Sequence, residues 1–108
     1  MSSSKPIASL SLDLDNQWTY LKVHGDPDWE TFPSYLDVLV PRVLEFLAVK
    51  NLQITFFVVG QDAALTKNVL RLRMISGAGH ELANHSFSHE PWFHLYDRAR
   101  IESEIALA

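Results

Sequence analysis

Ile54-Thr-Phe-Phe-Val-Val59 is the stretch on which the fold turns. Its six residues are β-branched or aromatic and do not alternate with polar ones, the pattern of a strand covered on both faces. Upstream, residues 7–15 do alternate, with Ala8, Leu10, Leu12 and Leu14 on one face and Ser9, Ser11, Asp13 and Asp15 on the other. That is the period of a strand. Between the two runs, Leu36, Val40, Val43 and Leu47 recur at helical spacing. A cap at Asp37 would leave Pro41 among the first helical residues, whose N–H groups have no intrahelical partner. A cap at Ser34 would bury Pro41 in the interior. The helix is therefore expected to start at Asp37, with Asn51 as its stop.

Downstream, a second helix is expected from a cap near Asp62, with Leu65, Val69, Leu72 and Ile75 as its apolar stripe and Gly77 and Gly79 ending it. Residues 80–84 read as a short third strand, 85–95 as a loop and 97–107 as a third helix. Residues 16–33, with the turn formers Gly25-Asp26-Pro27-Asp28, read as a long loop. The order is β-α-β-α-β-α, which defines an α/β chain with parallel strands and right-handed crossovers. Such sheets carry their sites at the carboxyl ends of the strands. Asp13 and Asp15 close the first strand and His85 and His89 follow the third, so all four are expected on one edge.

Composition narrows the function classes. The chain has 108 residues, 47% hydrophobic and 20% charged, with a formal charge of −4. This suits one small folded domain, residues 1–108, and provides no basic field for nucleic acid or an anionic membrane. Cysteine is absent, which removes disulfides and thiolate metal sites. The longest apolar run, 54–59, is far short of the ~20 residues of a membrane span. The opening Met-Ser-Ser-Ser-Lys-Pro has no apolar segment of the secretory type, so a cytoplasmic location is expected. Gly77-Ala78-Gly79 precedes a strand rather than a helix, the wrong context for a dinucleotide site.

His85-Ser-Phe-Ser-His89 has a metal-ligand spacing. On a helical turn, residues i and i+4 project to one side and two imidazoles can share an ion. A carboxylate would complete three ligands and leave a position open for water. The plain alternative is a pair of polar loop residues or hydrogen-bonded core histidines. Asp13 and Asp15, two apart in a strand, share a face. One could hold a metal while the other addresses a water; alternatively both are solvated carboxylates at a turn. His80 is expected to be structural, and His24 and His94 to be loop residues. Trp18, Tyr20, Trp29, Trp92 and Phe93 fall in the two loops expected to rim the site, where Trp18 and Trp92 are candidates for stacking on a sugar ring.

Ile54-Thr-Phe-Phe-Val-Val-Gly60 together with Gly77-Ala-Gly-His-Glu-Leu-Ala-Asn-His-Ser-Phe-Ser-His89 resembles the polysaccharide deacetylase family, the NodB-homology or carbohydrate esterase type. The resemblance runs from about Ile7 to Phe93. It implies a partial, deformed (β/α) barrel, roughly its first three βα units, and a metal-dependent hydrolase that removes N-acetyl groups from an amino sugar or polysaccharide. It implies that His85 and His89 bind a divalent metal, Zn²⁺ first among the choices, and that Ser86 supports the loop between them. The family's first-strand motif, Thr-Phe-Asp-Asp-Gly, would make Asp13 the general base and Asp15 the third metal ligand. Here the sequence reads Ser11-Leu-Asp-Leu-Asp-Asn16, with Leu14 between the carboxylates and no glycine, which leaves the division of roles open.

A full barrel takes ~250 residues. The family's later motifs, including a histidine that serves as general acid, have no counterpart in this sequence. The domain is expected to be incomplete, and the 108 residues to bind metal with little or no turnover. Two other readings stand beside this one: a small-molecule amidase or imidase on the same scaffold, and a non-catalytic module that self-associates through exposed strand edges.

Overall fold

The structure, a computed structural model, describes residues 5–27 and 34–108. In chain order the elements are β1 (Ser11–Leu14), α1 (Gln17–Val23), α2 (Leu36–Val49), β2 (Thr55–Val58), α3 (Gly60–Ala63), α4 (Thr66–Gly77), β3 (Glu81–Asn84), a 3₁₀ turn (Phe93–Leu95) and α5 (Arg98–Leu107). The strands form one parallel sheet in the order β1-β2-β3, with Asp13 opposite Phe57 and Phe57 opposite Ala83. The expected α/β class and partial (β/α) barrel are therefore observed.

This register sorts the side chains by parity. Leu14, Ile54, Phe56 and Val58 lie in one buried cluster with Leu36, Val40 and Leu47 of α2 and with Leu72 and Ile75 of α4. Both crossover helices thus cover the same face, as follows when two crossovers of one hand advance in one direction. Each fully buried side chain of the Phe56, Leu36, Leu47 or Ile75 type contributes about 1.5–3 kcal/mol relative to exposure. The opposite face carries Asp13, Phe57 and Ala83 and is the inward face of a barrel. β1 and β3 are the two edges.

Four local expectations are corrected. β1 is limited to Ser11–Leu14 because it pairs only along Thr55–Val58; Leu10 and Leu12 are 49% and 38% exposed against 4% for Leu14. The segment after Asp15 is not all loop. Asn16 caps α1 by accepting from the Gln17 N–H (2.9 Å), and Trp18 and Thr19 are buried beneath it. Residues 24–27 turn the chain after α1, with Gly25 at φ 80° and its N–H donating to the Lys22 carbonyl (3.0 Å); residues 28–33 of that expected loop, Trp29 among them, lie outside the described residues. α2 begins at Leu36 rather than Asp37, and Pro41 sits inside it. The Ser34 hydroxyl accepts the Leu36 N–H locally (3.2 Å), and Asn16 Oδ1 accepts the Tyr35 N–H across the fold (3.1 Å), so the two together fix a start that Pro41 disfavours. Asp62 does not cap α4; it is fully buried within α3, and α4 starts at Thr66.

Asn51 (φ 54°) ends α2, and Gly79 (φ 90°) follows the end of α4, as expected of stop residues. His80 is structural as expected: it is buried, and its Nδ1 accepts the Ile54 N–H (3.0 Å), which ties β3 to the start of β2. No helix among the described residues is long and apolar enough to cross a membrane.

Candidate metal centre

Asp15 leaves the carboxyl end of β1 and the 85–89 loop leaves the end of β3, separated only by the width of β2. The ladder extends past the strands: the His85 N–H donates to the Val58 carbonyl (3.1 Å) and the Gly60 N–H to the Ser86 carbonyl (2.9 Å). Both imidazoles are thereby brought to Asp15. Its Oδ1 lies 3.2 Å from His85 Nε2 and 3.4 Å from His89 Nε2. The two rings stand nearly perpendicular, with centroids 5.0 Å apart and an interplanar angle of 75°.

Asp15 Oδ1 and His85 Nε2 are buried without a hydrogen-bond partner, and so is the other ring nitrogen of His89, Nδ1. Buried polar atoms are seldom left in this state. Two donors held about 2.0–2.1 Å from one tetrahedral ion lie roughly 3.3–3.4 Å apart, which the Asp15–histidine separations match. Asp15, His85 and His89 therefore fit a small divalent cation by donor type and separation, and Asp15 Oδ1 and His85 Nε2 also by their lack of other partners; among the described residues these three form the group able to do so. Asp13 stands at the rim. Its Oδ2 is 3.8 Å from His85 Nε2 and its side chain is 60% exposed.

The histidine loop is not the helical turn its spacing suggests. Ser86 (φ 58°) and His89 (φ 52°) both lie in the left-handed region, which costs about 1–3 kcal/mol each for residues with a Cβ and persists only where the surroundings impose it. Here they do. Asn84 Oδ1 accepts the Ser86 N–H (2.9 Å), and the Ser86 hydroxyl accepts the His89 N–H (3.2 Å). Gly60 lets the loop approach α3 closely, since a Cβ there would stand 2.8 Å from the Phe87 ring and 2.8 Å from Ala108 Cα.

A polar scaffold invisible to motif reading holds the Asp15 side. Asn16 Nδ2 donates to Ser34 Oγ (2.8 Å) and to Asp62 Oδ1 (3.1 Å), which also accepts from Trp18 Nε1 (2.8 Å). The Tyr35 hydroxyl donates to the Asp15 carbonyl. Burial pushes the Asp62 carboxyl above the usual aspartate range, although the bonds from Trp18 and Asn16 pull it back in part. Trp18 is consequently corrected as a stacking candidate: its indole is 7% exposed and committed to Asp62. Trp92 remains available at 62% exposure, its ring 6.4 Å from that of His94.

On the other flank, Lys22 pairs with Glu90 (2.6 Å). Burial would raise the Glu90 carboxyl, but bonds from Lys22 and Tyr96 outweigh it and hold the group below the usual glutamate value. A cavity of about 370 Å³ opens beside the histidines, lined by Asn84, Ser86, Glu90, Phe93 and Ile105 among others.

Against known proteins, the polysaccharide deacetylase family model matches residues 28–108. The chain belongs to that family. A crystal structure from Mycobacterium smegmatis, assigned as a polysaccharide deacetylase, superimposes with a TM-score of 0.74 at 24% identity, over 98% of this chain and 41% of the other. At that identity the likeness establishes the fold, and this chain spans about two-fifths of its neighbour's length. No curated protein sequence matches the chain.

Proposed function

We propose that the chain carries the metal-binding part of a hydrolase that removes N-acetyl groups from an amino sugar or polysaccharide. The observation that carries this reading is the convergence of Asp15, His85 and His89 on one point, with Asp15 Oδ1 and His85 Nε2 buried and without a hydrogen-bond partner. Family membership supplies the reaction class.

In this reading Asp15, His85 and His89 hold a divalent cation, with Zn²⁺ the best match to two imidazoles and one carboxylate. When bound, such an ion supplies Lewis acidity for an acyl carbonyl and lowers the pKa of a coordinated water to about 7. Asp13 is the general base. It is near the cluster yet exposed, and thus free to accept a proton from an incoming water. Ser86 supports the loop through its bond to the His89 N–H. Trp92 offers an apolar surface on which a sugar ring can stack.

Calorimetric titration of the metal-free chain with zinc tests the proposal. Saturation at one ion per chain, abolished by His85→Ala, is expected. Equal behaviour of the two proteins would remove the basis for the reading.

A further inference from the structure

The backbone of Ser88, the residue before His89, is held on both sides by side chains of opposite charge. Its N–H donates to Glu104 Oε2 of α5 (2.8 Å), and the Phe87 N–H donates to the same oxygen (3.1 Å). Its carbonyl accepts from Lys22 Nζ of α1 (2.9 Å), which also pairs with Glu90 just beyond the loop. The two anchors come from elements on either side of the loop in sequence, 66 and 16 residues away from Ser88.

Two further observations show why such a clamp matters. Ser86 and His89, which bracket the clamped residues, hold left-handed backbone that an unrestrained loop would relax. In addition, α5 has no buried residue. An apolar face therefore does not account for its position, whereas Glu104, together with the bond from Asn84 Nδ2 to the Ile105 carbonyl (2.8 Å), links it to β3 and the loop. Charge-assisted bonds to backbone groups are shorter and stronger than neutral ones, which suits them to over-determining a strained loop.

We infer that Lys22 and Glu104 are positioning residues: by gripping the Ser88 backbone at its N–H and at its carbonyl, they set the loop shape that brings His85 and His89 to Asp15, and so set the affinity of the centre for its metal. This inference rests on the metal reading above, but the clamp has a consequence of its own in the metal-free chain. The Phe87 and Ser88 amide protons are protected from exchange by Glu104.

Zinc affinity and amide exchange, measured on the whole 108-residue chain, test it. Removal of groups that orient metal ligands typically lowers metal affinity about 10- to 100-fold. That loss is expected for Glu104→Ala and for Lys22→Met, with Glu104→Gln, which keeps the accepting oxygen, retaining most of the affinity. Asp97→Ala is the control. It removes the α5 cap, whose Oδ1 accepts the Arg100 N–H (2.8 Å), without touching the loop, and should bind zinc as the parent does. In the metal-free state Glu104→Ala should lose protection at Phe87 and Ser88, and Asp97→Ala should not. Lys22→Met leaves α5 untouched and keeps the test open if Glu104→Ala does not fold. Parent-like zinc affinity in Glu104→Ala or Lys22→Met would overturn the inference, as would an equal loss in Asp97→Ala. If the parent itself bound no zinc, the metal reading would fall while amide exchange still decided the clamp.

Discussion

Asp15 Oδ1 faces His85 Nε2 at 3.2 Å, and neither atom has a hydrogen-bond partner. The carboxylate sits just past β1 and the imidazole just past β3, so the pair exists only because two parallel crossovers place both strand ends on one edge. Asp13 shares that edge but stands farther away and more exposed. A difference in role follows from the difference in placement.

That difference gives the first prediction. Asp15→Asn exchanges an anionic donor for a neutral one at the centre and should weaken zinc binding by at least about 100-fold, the upper end of what losing an outer-shell partner alone costs. Asp13→Asn should leave zinc affinity within a few-fold of the parent. Competition titration against a chromophoric chelator measures both. The reverse order would exchange the two roles.

Asn16 gives the second. Its side chain accepts from the Gln17 and Tyr35 N–H groups and donates to Ser34 and Asp62 while only 1% exposed. Asn16→Ala strands several buried partners, each worth about 1–3 kcal/mol when left unsatisfied. Urea denaturation should show a loss of at least ~2 kcal/mol; a parent-like midpoint would contradict the hub described here.

Asp62 gives a pH signature. Burial raises its carboxyl pKa in the folded chain above the unfolded value. The ionised form is the disfavoured one, so this group's penalty is absent below the unfolded pKa and grows as pH rises through the raised folded value. Asp62→Asn keeps an accepting oxygen for Trp18 and carries no titrating proton. The stability of the variant relative to the parent should therefore increase with pH across that window and then level off. Urea titrations at a series of pH values test this, and a pH-independent difference would exclude the shift.

Gly60 gives the fourth. Its buried position between the Phe87 ring and Ala108 leaves no room for a methyl group. Gly60→Ala should cost about 1–3 kcal/mol, the usual range for overpacking, and should weaken zinc binding because the strain falls on the histidine loop. Unaltered stability together with unaltered zinc affinity would show the approach to be less tight than described.

The central strand was legible because Ile54, Phe56 and Val58 must pack against helices while Phe57 faces inward, which leaves no polar side to alternate. The candidate ligands were legible for a related reason: strand periodicity dictates where Asp13 and Asp15 end, and a histidine pair after another strand can only meet them there. What sequence did not reveal is long-range. Asn16 is a good cap residue, and that signal could have disclosed α1, but a seven-residue helix with buried Trp18 and Thr19 looks polar and aromatic in sequence. Pro41 argued for a later start to α2, yet Ser34 and Asn16 impose an earlier one. Asp62 precedes a helix as a cap would, and only its three-dimensional neighbours make it a buried hub. The left-handed backbone at Ser86 and His89 has no marker, since neither residue is glycine. Glu104, twenty residues from Asn84, carries no motif at all.

Zinc K-edge X-ray absorption on the loaded chain examines the centre itself. A first shell at about 2.0–2.1 Å containing two imidazoles and oxygen is expected, with one imidazole lost in His89→Ala. A spectrum without imidazole scattering, or one unchanged by that substitution, would contradict it.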